Sequence, residues 1–347
     1  MKKSLVTVLV VFIYLFDSFG QDFKEYKIEP SITRISGSLY NSIKLVDSRV
    51  DTSNMGIVQK GLMNANVMVN TKIPLSKQLC DYMTSVIDSS AKDAGLLLQL
   101  RNILFCETTN MSSETGYCYL KANLYAGKDD QTYSILSSID TVILVKSLDV
   151  TKALLKSGSN LLTDLINNNL KNYPDNVYSY SYHDILKTDS IEKRQLKLYN
   201  TNDFENGLYY SYNSFKDQKP DNQIIVETKK DGTISSVKTF DVNKNLIKVK
   251  SDEVYAIVFN GKPFVQTGYG YFPLFKSNDY FYFVGKVRPI TTNNEGNAIV
   301  AGVMFGLVGG LIAGATGSSA SGENYFIILD HSNGGFIHFR KMPTNPN

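Results

Sequence analysis

Between residues 297 and 322 the chain reads NAIVAGVMFGLVGGLIAGATGSSASG, without a charged side chain and with Gly302, Gly306, Gly310 and Gly314 at four-residue spacing. In an ordinary soluble helix each glycine costs about 1 kcal/mol relative to alanine. On one helical face the same spacing leaves a shallow groove that another backbone can enter. The segment therefore confines the chain to folds that offer it a membrane or a closely packed helix. As a helix, 298–317 would be about 30 Å long, the thickness of a hydrocarbon core.

The flanks argue against one straight span. Lys286 and Arg288 precede the segment and the next basic residue is Arg340, an asymmetry that would hold 288 on the cytoplasmic side. The N-terminus points the other way. Lys2 and Lys3, an apolar run from Leu5 to Phe16, and small residues at Ser18 and Gly20 predict a secretory signal peptide over 1–20, cut before Gln21. No cysteine follows the apolar run, which speaks against a lipid anchor. If the strands on either side of the segment share a sheet, both of its ends lie on one side. A short helical hairpin turning near Gly309 and Gly310 satisfies that condition, and one span does not; such a hairpin could dip into a bilayer, self-associate, or fold over the sheet as a buried segment.

Composition narrows the class. Removing 1–20 takes away Lys2, Lys3 and Asp17, so the formal charge falls from +3 to +2 and gives no footing for nucleic acid. Twenty-two Tyr and 18 Phe with no Trp point to aromatic-rich strands. The Asn- and Lys-rich usage resembles that of secreted proteins from AT-rich Gram-negative bacteria. The expected location is outside the cytoplasm, in the periplasm or outer envelope, with membrane association through 298–317.

The predicted fold is α+β. After an N-terminal extension at 21–40, residues 41–172 read as one unit, an antiparallel sheet with two packed helices. Short strands at 42–50, GIVQKG and NVMVNTK precede a helix near 74–92 whose stripe is Leu79, Met83, Val86 and Ile87. Strands follow near 96–106, 117–126 and 132–146, and then a helix near 149–171 with Leu154, Leu161, Leu162, Leu165 and Ile166 on its buried face. Residues 173–206 are a polar connector with room for a short helix near 187–194. Residues 207–342 read as a β-meander or small barrel interrupted by the 297–322 segment, before a tail at 343–347. GLYYSYNSF alternates like a strand, and hairpin turns are marked by Lys230-Asp231-Gly232, Asn260-Gly261, Asn278-Asp279 and Asn333-Gly334-Gly335.

The strand ending in Asp47-Ser48-Arg49, followed by Gly56, a helix and a meander, resembles YajG-like and ABC-transport auxiliary periplasmic proteins over about 130 residues, although the lipobox cysteine of that group is missing. The resemblance implies an accessory or assembly role without catalysis. The layout of 175–345, with GLYYSYNSF, turn-rich strands and a glycine-rich insert before a final N-G-G-F-I strand, resembles a group of uncharacterised secreted envelope proteins of Gram-negative bacteria. That likeness implies no activity.

Few residues offer chemistry. Cys106 and Cys118 close two strand-like runs and could face each other across a hairpin as a disulfide, or all three cysteines could be small buried apolar residues. Of the three histidines, His331 and His338 flank the last turn beside Asp330, where an acid/base or metal site is conceivable and where surface positions explain them as well. His183-Asp184 reads as a capping pair. The aromatic set Tyr269, Tyr271, Phe272, Phe275, Tyr280, Phe281, Tyr282 and Phe283 fits a sheet core or a membrane-interface belt. No nucleotide fingerprint or nucleophile elbow is present, and the reading assigns no catalytic residue, cofactor or metal.

Three functions stay open. The first is a non-enzymatic envelope module that binds a partner or self-associates. The second is an exported hydrolase or metal-dependent enzyme using Asp330, His331 and His338. The third is a protein that inserts into membranes as an oligomer.

Overall fold

A long antiparallel hairpin organises the molecule. In the computed structural model, which describes residues 23–53, 55–60, 65–110, 113–128, 131–147, 149–175, 178–277, 280–285 and 325–341, that hairpin is the centre of a seven-stranded sheet. The sheet contains β1 (Phe23–Glu25), β2 (Ser42–Asp47), β3 (Gly56–Lys60), β4 (Ala65–Asn70), β5 (Gly95–Asn110), β6 (Ser113–Gly127) and β7 (Tyr133–Val145). Strands β5, β6 and β7 form the antiparallel meander. β2 and β3 pair in parallel with β5, so the sheet is mixed.

The sequence of β5, GLLLQLRNILFCETTN, explains its position. Apolar residues run nearly without a break because both faces are covered. On one face Leu96, Leu98, Leu100, Ile103 and Phe105 meet α1 (Leu75–Val86) and α2 (Val150–Asn167). Helix α1 buries Leu75, Leu79, Tyr82, Met83 and Val86, a stripe at helical spacing. Asp149 caps α2 by accepting from the Lys152 backbone N–H. At Gly158 a Cβ would lie 2.6 Å from the Phe105 ring, so glycine permits the close seat of α2 on the sheet.

The connector and the C-terminal half cover the opposite face. Ile185 of α3 (Tyr182–Leu186) packs with Val46, Leu97 and Tyr125. Gln99 fixes this seat by donating to the Ile185 carbonyl at 2.7 Å. Tyr180 bridges to Tyr133 and meets the Tyr125 ring edge-on. The connector continues as α4 (Thr188–Lys193) and α5 (Lys197–Asn200).

Beyond the connector come β8 (Gly207–Tyr209), α6 (Tyr212–Lys216), β9 (Ile225–Thr228), β10 (Ile234–Phe240), β11 (Leu246–Lys248), β12 (Ala256–Phe259), β13 (Lys262–Thr267), β14 (Gly270–Pro273), β15 (Phe275–Ser277), β16 (Tyr280–Gly285), β17 (Tyr325–Leu329) and β18 (Phe336–Lys341). They make three antiparallel sheets, β11-β10-β9, β14-β13-β12-β8 and β15-β16-β17-β18, none closed into a barrel. The expected strand over GLYYSYNSF stops after Tyr209, because Ser211 and Ser214 form a capping box that starts α6. The Asn260-Gly261 turn has φ of +53° and +70°, the left-handed pair that a two-residue hairpin requires.

A core of Cys106 and Tyr119 from the first sheet, Leu198 and Tyr199 from the connector, and Phe215, Phe281, Phe283, Ile327 and Leu329 from the C-terminal half joins the parts. Among the described residues no helix is long and apolar enough to cross a membrane. The expected signal peptide at 1–20, the 297–322 segment with Gly302, Gly306, Gly310 and Gly314, and the 343–347 tail lie outside the described residues.

Candidate functional site

Several buried charges of the chain meet where β5, the connector and the β17–β18 turn come together. Arg101 enters through an irregularity of the β5–β6 ladder: Leu100 pairs with Ala122 and Asn102 with Lys121, leaving Arg101 as the extra residue. Such a bulge re-aims a side chain. The Arg101 side chain, 7% exposed, reaches α4. There Asp189 and Glu192, three residues apart and on one helical face, receive it. Arg101 donates to Glu192 at 2.8 and 2.6 Å and to Asp189 at 2.6 Å.

The β17–β18 turn supplies the other side. Nε2 of His331 lies 2.8 Å from Oε2 of Glu192. Burial alone would raise the Glu192 carboxyl, but the hydrogen bonds from His331 and Arg101 outweigh it and hold the group at about 2. An ionised carboxylate only accepts, so the proton in this bond sits on Nε2. Asp330 is buried as well. Burial pushes its carboxyl up, and Lys121 and Ser332 bring it below the usual carboxylate range. Lys121 meets the Ser332 hydroxyl and lies 3.5 Å from Asp140 and 4.0 Å from Asp330.

Tyrosines hold the turn in place. Tyr212 donates to the His331 carbonyl at 2.6 Å and Tyr255 to the Gly334 carbonyl at 2.8 Å. Asn333 donates to the Tyr119 hydroxyl at 3.0 Å. Burial, and then the Asp330 and Asp140 carboxylates, push the Tyr119 hydroxyl upward, so it stays neutral. The cleft lined by Arg101, Lys121, Asp189, Lys193, Asp330 and His331 measures about 40 Å³, room for about one water.

Asp330 and His331 thus come together, beside Glu192, Asp189, Arg101 and Lys121. His338 pairs through its backbone with Ile327, and its side chain lies outside the described residues. Asp189, Glu192 and His331 each place a ligand atom within 4.8 Å of the others, a spacing a metal could use. The Arg101 guanidinium already lies against both carboxylates, however, and supplies the cation of this cluster. Sequence reasoning missed Arg101, Asp189 and Glu192. The only local signal was the i, i+3 spacing of two carboxylates in the connector.

The remaining candidates separate. Phe105 pairs with Cys118 and Cys106 with Tyr117, so the two thiols are one register position apart and point to opposite faces. Of the two readings left open for Cys106 and Cys118, this structure has free, buried thiols, one in each core. Asp184 completes a capping box with Ser181, and His183 stands in the same helical turn. Asp47 and Arg49 form a two-pronged ion pair at 2.7 and 2.9 Å. It lines an open cleft of about 360 Å³ together with Pro74 and Leu75 at the start of α1.

The fold and the site define a mixed α+β protein whose buried polar cluster fastens three parts of the chain together. Residues 207–341, less than half of the chain, match a family of unknown function (DUF6563). No curated protein matches the chain. One solved structure, titled as the crystal structure of an uncharacterized protein, aligns with 40% of this chain and 99% of its own at 11% identity and a TM-score of 0.23, a likeness too weak to carry an argument.

Proposed function

We propose that the protein is a non-catalytic module of the bacterial cell envelope, exported through 1–20, that binds a partner or self-associates while 298–317 contacts a membrane. The observation that carries this reading is the pairing of β16 with β17. Gly285 lies opposite Tyr325, so residues 286–324 leave and re-enter the sheet at one point. That supports a re-entrant or paired-helix arrangement for the charge-free segment, with each arm about 12–15 Å long. The interior cluster supports the non-catalytic side. Its charges bond to one another around a narrow cleft. The likeness of 41–172 to periplasmic auxiliary proteins favours an accessory role in the periplasm or outer envelope.

Envelope fractionation with carbonate washing, on the full chain and on a chain lacking 298–317, tests the reading. The full chain is expected in the washed membranes and the deletion in the soluble fraction. Retention of the deleted chain on membranes would refute the attachment. Vesicle leakage that needs Gly306 and Gly310 would instead favour an inserting oligomer.

A further inference from the structure

Strand β7 closes one edge of the seven-stranded sheet. At its start Tyr133 exchanges two backbone hydrogen bonds with Tyr180, at 2.9 and 2.8 Å. Beyond that bridge, no strand among the described residues pairs with the free side of β7. The edge is long: β7 has 13 residues, whereas the other strands at sheet edges have three to six. Its one irregularity lies near the start, between Ile135 and Ser137. From there to Val145 the ladder is regular, with no proline, no lysine and a single charge, Asp140. Proline, lysine and bulges are the usual means of keeping an edge from pairing. Leu144 is 53% exposed, and Ser138, Asp140 and Lys146 are exposed as well.

We propose that a second copy of this chain pairs with that edge, β7 against β7, antiparallel about a two-fold axis at Ile143. A two-fold contact uses the same patch on both copies, and this patch complements itself. With Ile143 opposite Ile143, Val142 faces Leu144, and Asp140 faces Lys146, the first residue after the strand. The axis repeats each pair, giving two apolar contacts and two ion pairs across the strands. No other centre sets Asp140 opposite Lys146. Placed at Val142 or Leu144, the axis sets both charges against uncharged residues. The inference gives a surface to the self-association in the reading above and rests on that part of it. It needs neither a membrane nor residues 298–317.

Sedimentation of the full chain in nonionic detergent, over a range of concentrations, reads the dimer. Leu144→Lys sets a charge on the edge, and Lys146→Glu sets like charges opposite Asp140. Each is expected to raise the dissociation constant of the dimer roughly tenfold, because the axis repeats every lost pair. Lys146 is exposed and lies outside the strand, so its replacement leaves the fold intact. A nitroxide on Ser138→Cys, in a chain that also carries Cys80→Ser, should find its copy about 34 Å away, roughly ten residues along the paired strands. A monomer at every concentration would overturn the proposal. A dimer indifferent to both edge changes would overturn it in favour of association through 298–317. A label distance differing by about 7 Å or more, one residue of displacement of the axis, would overturn the register. A chain that still dimerises after carbonate releases it from membranes would remove the membrane attachment and leave this contact standing.

Discussion

Across 139 residues of chain, Nε2 of His331 lies 2.8 Å from the Glu192 carboxylate. Arg101, 91 residues before Glu192, closes the other side of that carboxylate. Three parts of the sequence far apart along the chain thereby fix one another. The short polar helix α4 owes its place to this bonding, because none of its own residues is buried.

Stability in acid follows from the Glu192 carboxyl. Its value in the fold, about 2, lies below the ordinary 4.5, so its contribution is complete above about 4.5 and is lost as the pH falls toward 2. Asp330, also held low, acts in the same direction. Urea unfolding at several pH values should show wild-type stability dropping through this window. Glu192→Gln should give a flatter profile and a loss of about 1–2 kcal/mol at pH 7, a moderate figure because solvent screens this partly exposed pair. Parallel profiles for the two proteins would show that the carboxylate does not clamp the junction.

The regular elements were legible where burial follows a period. Leu79, Met83 and Val86 marked α1, and the near-continuous apolar run of 96–106 marked a strand, which the structure covers on both faces. The site was not legible, because Asp189 and Glu192 look like solvated charges until Arg101 is brought to them by a bulge that no local pattern announces. Register was hidden for a related reason. The β5–β6 register sets Cys118 opposite Phe105, and a shift of one residue would exchange the two faces. In GLYYSYNSF the alternation suggested a strand, and the Ser211–Ser214 capping box prevailed over it.

The two thiols provide a direct check of that register. Burial pushes both the Cys106 and Cys118 thiols upward, so neither forms a reactive thiolate at neutral pH. Cys80 is exposed. Alkylation of the native protein without reductant should label Cys80 alone, and denaturation should release two further thiols. A mass spectrum showing Cys106 joined to Cys118 would contradict the pairing of Phe105 with Cys118.

The turn carrying Asp330 and His331 depends on Gly334, which has φ of +77°. A Cβ there would lie 2.3 Å from Tyr212 Cγ, in the ring that anchors the His331 carbonyl. At Gly232, with φ of +82°, a Cβ meets open space. Gly232→Ala should therefore cost only the backbone penalty of about 1 kcal/mol, and Gly334→Ala at least about 2–3 kcal/mol from the added clash. Thermal unfolding of both variants measures the difference. Equal losses would show that Tyr212 gives way and that the turn is not held as described.

Glu107 carries the opposite pH dependence to Glu192. It accepts from the Gln59 backbone N–H at 2.8 Å, and the Thr151 hydroxyl lies 3.0 Å from the same oxygen, Oε2. Oε1 is buried without a hydrogen-bond partner among the described residues. Burial raises this carboxyl, and Glu114 and Asp149 add to the rise, against the lowering by Gln59 and Thr151. A raised value in the fold favours the protonated acid, so its contribution is present below the ordinary 4.5 and is lost as the pH rises through the folded value. At pH 8 the group is a strained anion or a costly neutral acid, and Glu107→Gln removes that cost. Denaturant unfolding should find the variant more stable than wild type by about 1 kcal/mol at pH 8, with the gain vanishing toward pH 4. A variant less stable at pH 8 would mean that the ionised carboxylate is satisfied in the fold and that its second oxygen has a partner.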